Sequence, residues 1–187
     1  MRDDATGHPA LTDHPTGLAN RLHFELVYSY LFEAGDRGIA LTVLLLSFRA
    51  DEFESSNPEA LRTLGERIQD TTRTTDLSGH LGHGRIIILL FGSNIAGALI
   101  AAERIEDAVG ELGLGRVSIG LAMYQPDMKD PSELLETARC ASWRRLGEEW
   151  SWRKQPRITS GPRSPESGLR ALRQGTAGAG CSTAARG

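Results

Sequence analysis

Cysteine is nearly absent from this chain of 187 residues: the two that occur, Cys140 and Cys181, lie in compositionally different regions and show neither a CxxC pair nor a Cys/His ligand spacing. That argues against a disulfide framework and against a structural zinc site. Long apolar runs are missing too, the longest aliphatic stretch being Ile86 to Phe91, far short of a membrane span. The N-terminus, Met1-Arg2-Asp3-Asp4, has no apolar core of signal-peptide length, so the expected compartment is the cytosol, with no membrane partner. Excess positive charge is also lacking. The formal net charge is −3, too small and of the wrong sign for broad adhesion to nucleic acid, so phosphate binding has to be argued from particular residues. What remains, 40 % apolar and 24 % charged residues, is the composition of one soluble domain with tails.

Residues 1–12 are polar and punctuated by Pro and Gly, and read as a flexible tail; the domain is expected over 13–150. The region 151–187 is rich in Gly, Ser, Ala and Arg and reads as a disordered, solvated tail. Between the tails, apolar residues at 18, 22, 26, 27, 30 and 31 form one stripe at helical spacing, predicting a helix over Leu18 to Phe32 that a Gly35-Asp36-Arg37-Gly38 turn closes. Ile39 to Phe48 is almost continuously apolar and predicts a strand buried on both faces. A helix is predicted from Pro58 to Thr72, with Asn57 as N-cap, Pro58 at the first helical position and Glu59 in the first turn. Leu77 to Leu81 and Ile86 to Phe91 predict a β-hairpin around Gly82-His83-Gly84-Arg85, the glycines supplying positive φ. A helix from Asn94 to Leu112, a strand from Arg116 to Tyr124 and a helix from Pro131 to Trp143 complete the pattern. The order is βαββαβ, and the expected fold class is α+β, a mixed sheet flanked by helices.

Asp13-His14-Pro15-Thr16-Gly17-Leu18-Ala19-Asn20-Arg21 resembles the DxLTGLxNR motif that opens GGDEF domains, the bacterial diguanylate cyclases, with Pro15 where Leu is usual. Val117 to Ala122 is similar to the family's VSIGxA strand, Ala102-Glu103-Arg104-Ile105 to its AERI helix, and Ser132 to Ala138 to its last helix. The resemblance covers roughly residues 11–147 and implies a fold of nucleotidyl-cyclase type and a role in cyclic di-GMP signalling.

The resemblance also implies where catalytic acids belong. The five signature letters of the family's hairpin turn correspond to Gly82, His83, Gly84, Arg85 and Ile86, without the metal-binding and catalytic acids. A second metal-binding acid is implied at the end of the first strand, where Ser47, Phe48 and Arg49 stand; Asp51, Glu52 and Glu54 follow out of phase. The guanine-binding loop is missing between Asn57 and Leu61, and the closing basic contacts are not recognisable in Arg144 to Lys154. Joining two GTP molecules requires divalent ions, and Mg²⁺ demands hard oxygen ligands that Ser, Gly and Arg do not supply. The expectation is a catalytically inactive member with no catalytic residue, no metal ligand and no cofactor, Mg²⁺ entering only if the chain is a cyclase after all.

One family site is matched in register. Arg73-Thr74-Thr75-Asp76 stands five residues before Gly82, as the family's product-inhibition motif RxxD does, and Arg104 matches the arginine that joins it from the next helix. Cyclic di-GMP is therefore the expected ligand of Arg73, Asp76 and Arg104, with a second copy or a regulatory protein as further partner. An arginine fork grips the guanine O6/N7 edge or a phosphate, while a carboxylate accepts from guanine N1 and N2. Read without the family, the same tetrapeptide is a helix end followed by a strand. The histidines beside the turn, His80 and His83, read as exposed turn residues, and Trp143, Trp150 and Trp152 as packing or interface residues. Three functional readings follow: a cyclic di-GMP receptor, an active diguanylate cyclase making cyclic di-GMP from two GTP, and a purely structural interaction domain.

Overall fold

The computed structural model describes residues 9–143, 145–146 and 149–150. The predicted tail beyond 150, with Trp152, lies outside them, as do residues 1–8. Residues 9–12 carry a 3-10 turn, Pro9–Leu11, and a bridge from Thr12 to Ala19.

The apolar run near position 40 does become the central strand. Strand β2, Leu41–Ser47, is buried from Leu41 to Leu46 and pairs antiparallel on one side with β4, Arg85–Phe91, and on the other with β5, Ser118–Met123. A strand with two partners and helices on both faces has no solvated side, which is why its sequence does not alternate. Beyond β4 lies β3, Leu77–Gly82, the other arm of the hairpin; β3 in turn pairs in parallel with the two-residue β1, Ala19–Asn20. On the opposite edge β6, Ser142–Trp143, pairs with β5. The sheet order is β1-β3-β4-β2-β5-β6, mixed only through β1. A separate small ladder joins β7, Arg145–Leu146, to β8, Glu149–Trp150.

The pleat sorts the core in two. Leu44, Leu46, Ile86, Ile88 and Leu121 face α3, Pro58–Thr71, and α4, Ile95–Glu111. Val43, Leu45, Ile87 and Leu89 face α1, Arg21–Asp36, and α5, Pro131–Cys140. Caps set the helix starts: Asn20, Asn57, Asn94 and Asp130 each accept a backbone N–H of the following turn.

Five differences from the sequence reading have physical causes. Leu18 is buried but precedes α1, because Ala19 and Asn20 pair with Gly79 and His80 before Asn20 caps the helix. The face that α1 buries is Phe24, Tyr28 and Phe32, whose rings contact one another in series; the predicted stripe at Leu22, Leu26 and Tyr30 points outward. Rings remove more apolar surface from water than the aliphatic stripe does, so they win the core. Helix α1 also runs through Gly35 instead of stopping there. A Cβ at Gly35 would stand 2.8 Å from the Tyr124 ring, so this glycine serves close packing and not a turn. At the other end, α5 stops at Cys140 and Trp143 joins β6, because Ser142 and Trp143 find partners on β5. A short helix, α2, Ala50–Glu54, follows the central strand and seats one buried side chain, Phe53. Among the described residues no helix is long and apolar enough to cross a membrane.

Candidate functional site

The N-terminal motif forms a closed loop before β1. The Asp13 carboxylate accepts from Thr16 N at 3.2 Å and from Thr16 Oγ1 at 2.6 Å, Gly17 N donates to Asp13 O at 2.7 Å, and Asp13 N donates to Leu18 O at 2.8 Å. His80 of β3 brings Nδ1 to 3.0 Å from Asp13 Oδ2, and its ring packs against Phe53 at 5.4 Å between centroids. The two histidines beside the turn thus differ: His83 is exposed as expected, whereas His80 is only 12 % exposed and ties the motif loop to the hairpin. Burial raises the Asp13 carboxyl, but the hydrogen bonds from His80 and Thr16 outweigh it and hold the group below the usual carboxylate value. The sequence reading passed over this pair, and a buried Asp-His contact 67 positions apart leaves no spacing signal.

Arg73 and Asp76 follow the C-terminus of α3 in a tight turn. Asp76 N donates to Arg73 O at 3.0 Å; in return Asp76 Oδ2 accepts Arg73 N at 2.8 Å, and Oδ1 accepts Phe91 N of β4 at 2.9 Å. Each carboxylate oxygen keeps a further lone pair for a donor from outside. Both side chains line a cavity of about 330 Å³, together with His23, Gln69, Thr74 and Ser78 among others. Arg104 is not part of that lining: it stands exposed on α4. The structure therefore brings two of the three predicted ligand-binding residues into one cavity and leaves the third on a neighbouring helix.

At the other end of the hairpin, Gly82, His83 and Gly84 take φ of +82°, +51° and +64° in succession, a left-handed run that reverses the chain into Arg85. A Cβ on Gly84 would lie 3.2 Å from Phe48 Cβ and 3.3 Å from Phe53 Cβ, so the third position of the turn is closed by aromatic packing. Arg85 pairs across the ladder with Ser47, and Ser47 with Ser118. Two of the exposed acids of α2 are otherwise engaged, Glu52 with Arg49 at 3.1 Å and Glu54 facing His83 at 3.7 Å. Magnesium needs several hard oxygens converging within its octahedron. Ser47, Gly84 and Arg85 do not fit that ion, and among the described residues no three His, Cys, Asp or Glu side chains are grouped to hold a metal.

The fold and this geometry can be set beside known proteins. Residues 10–144 match the family described as diguanylate cyclase, GGDEF domain. The chain belongs to the GGDEF domain family. Solved structures agree in fold. The GGDEF domain of DgcB from Caulobacter crescentus, in complex with c-di-GMP, superposes with a TM-score of 0.62 at 20 % identity over 72 % of this chain and 89 % of that one. The GGDEF domain of TpbB (YfiN) from Pseudomonas aeruginosa gives 0.58 at 27 % identity, covering 69 % and 84 %. Diguanylate cyclase SiaD from the same species, in complex with its activator SiaC, gives 0.60 at 21 %, covering 70 % of this chain and 55 % of SiaD. No curated protein matches the sequence. Within this GGDEF domain the signature turn and the Arg73–Asp76 turn are the two ends of one hairpin, and the ladder from Leu77↔Leu89 to Gly82↔Arg85 fixes their separation.

Proposed function

We propose that this GGDEF domain is a catalytically inactive member of the family that binds cyclic di-GMP at Arg73 and Asp76, acting as a receptor or regulatory module. The observation that carries the reading is the shared cavity of these two residues, with the Asp76 carboxylate fixed by two backbone N–H groups before any ligand arrives. A carboxylate already oriented accepts from the guanine N1 and N2 edge without further ordering, and the exposed Arg73 supplies a charge-assisted bond to a base edge or phosphate. At about 330 Å³ the cavity is small for a whole dinucleotide, so the ligand extends beyond it, and Arg104 on α4 contributes from outside the cavity. The signature turn supports the loss of cyclase chemistry: an arginine and a packed glycine occupy positions at which the reaction needs acids and divalent ions. The complex of DgcB with c-di-GMP is a property of that relative and supports the choice of ligand here.

Calorimetric titration of the full chain with cyclic di-GMP tests the reading. Wild type is expected to bind, Arg73→Ala to lose one to two decades in affinity, about 1.4 to 2.8 kcal/mol, and Arg104→Ala to lose less. Absence of heat from folded wild-type protein overturns it. Incubation with GTP and Mg²⁺ or Mn²⁺ is expected to yield no cyclic di-GMP; a product that disappears on mutation overturns the inactive assignment.

A further inference from the structure

Two apolar ridges run along α1, and the core takes one of them. Phe24, Tyr28 and Phe32 point inward, while Leu22, Leu26 and Tyr30 stand 56, 63 and 73 % exposed on the outer side. Among the described residues one other large apolar side chain, Ile100 on α4, is comparably exposed. Apolar residues scattered singly over a surface need no explanation, whereas three at i, i+4 and i+8 of one helix make a continuous ridge. No residue of that ridge lines the Arg73–Asp76 cavity.

The charges on α1 run against its own dipole. No acid stands in its first turn and no base in its last. Arg21 is instead the first helical residue, and Glu33 and Asp36 occupy the last turn, with Arg37 only at the C-cap. Each placement is unfavourable beside the helix end that carries it. Asp36 accepts the Tyr124 hydroxyl, but Glu33 has no hydrogen bond or ion pair among the described residues. A second α1 laid antiparallel supplies the missing sign at both ends: its positive end meets Glu33, and its acids meet Arg21. A parallel neighbour sets like charge beside like charge. The surface is thus complementary to itself in one orientation, which makes another copy of this chain its fitting occupant.

We propose that Leu22, Leu26 and Tyr30 form a self-association surface through which two copies of this chain pair by antiparallel α1 helices. Rows of residues four apart pack ridge into groove in the commonest class of helix contact. A two-fold axis at Leu26 sets Leu22 beside the second copy's Tyr30 and brings Glu33 to the start of its helix, where Arg21 stands. The ring of Tyr30 covers Leu22 while its hydroxyl stays at the wet rim. The patch is on the order of a few hundred Å² per copy, which puts the pair at the small, weak and reversible end of specific interfaces. The pairing does not depend on what the Arg73–Asp76 cavity binds.

Sedimentation equilibrium of the full chain, without ligand, tests the surface. Wild type is expected to pass from monomer to dimer with a Kd on the order of 10–100 µM. Leu26→Glu, which sets two carboxylates against each other at the axis, is expected to weaken pairing at least about tenfold. Tyr30→Ser is a second variant with the same direction and a smaller effect, should Leu26→Glu not fold. Glu33→Gln is expected to weaken pairing about twofold to threefold and to flatten its salt dependence. Orientation is read by oxidative cross-linking in a Cys140→Ser, Cys181→Ser background. There Leu26→Cys is expected to link to itself, whereas Leu22→Cys and Tyr30→Cys link to each other in a mixture and poorly alone. A chain that stays monomeric up to about 0.5 mM overturns the proposal, whether the ridge is bare or covered by the chain's own C-terminal region. So does an undiminished dimer in folded Leu26→Glu, or self-linking of Leu22→Cys equal to that of Leu26→Cys. Leu26→Glu is expected to bind cyclic di-GMP like wild-type monomer, so failure here and failure of the cyclic di-GMP reading are separately visible.

Discussion

The two ends of the β3–β4 hairpin share one ladder yet differ in what their side chains do. At the Asp76 end a carboxylate closes a turn, reaches the partner strand at Phe91 N and faces a cavity. At the Gly84 end backbone conformation and aromatic packing close the turn, and the charged group beside it is an arginine. The contrast teaches that the hairpin is held by its backbone pairing and by the burial of Ile86 to Leu90 on both faces of the sheet. The Gly84 turn closes without any ligand-binding side chain, while the Asp76 carboxylate serves both its turn and the cavity, so the two ends can diverge independently.

That independence can be broken from either side. The largest effect is expected from Asp76→Ala, which strips the acceptor from two backbone donors: a stability loss of about 2 to 3 kcal/mol in a urea titration, together with loss of cyclic di-GMP binding. Gly84→Glu, which puts an acid back into the turn, is expected to lower stability by about 1 to 3 kcal/mol, because the new Cβ meets Phe48 and Phe53 and φ is positive. The same variant is expected to form no cyclic di-GMP from GTP and Mg²⁺ and to keep wild-type affinity at the other end. The smallest effect concerns Asp13, which ties the motif loop to His80 midway along the hairpin. Its carboxyl lies below 3.8 in the fold, so its stabilisation is complete above that value and disappears as pH falls through the folded-state pKa. Asp13→Asn is expected to lower stability at neutral pH and to flatten the acid limb below about pH 4 in a pH series of thermal unfolding.

Most of the elements were legible in local pattern. The run from Leu41 to Leu46, the Asn57-Pro58 start of α3 and the paired glycines of the hairpin turn each carry a signal within a few residues. What escaped local reading depends on partners far along the chain. The β1 strand is two residues long and exists through pairing with Gly79 and His80; β6 exists through β5. Helix α2 spans less than two turns, too short for periodicity to register, and it is seated by Phe53 against Phe48 at 4.7 Å. On α1 two apolar stripes compete, and only the tertiary environment decides that Phe24, Tyr28 and Phe32 face inward. The candidate site divides in the same way. Arg73 and Asp76 are three positions apart and their turn is local, whereas the position of Arg104 relative to their cavity and the Asp13–His80 tie are products of topology.

The central placement of β2 bears on how the chain reaches this fold. Its two neighbours are β4 and β5, so Leu44 pairs with Ile88 on one side and with Leu121 on the other, separations of 44 and 77 positions. During synthesis this buried central strand therefore emerges long before either flank exists, and its final hydrogen bonds form only after Met123 has been made. Sheet assembly is accordingly a late and slow event dominated by non-local closure, and the nascent Leu41 to Leu46 stretch is the segment most in need of shielding from aggregation until then.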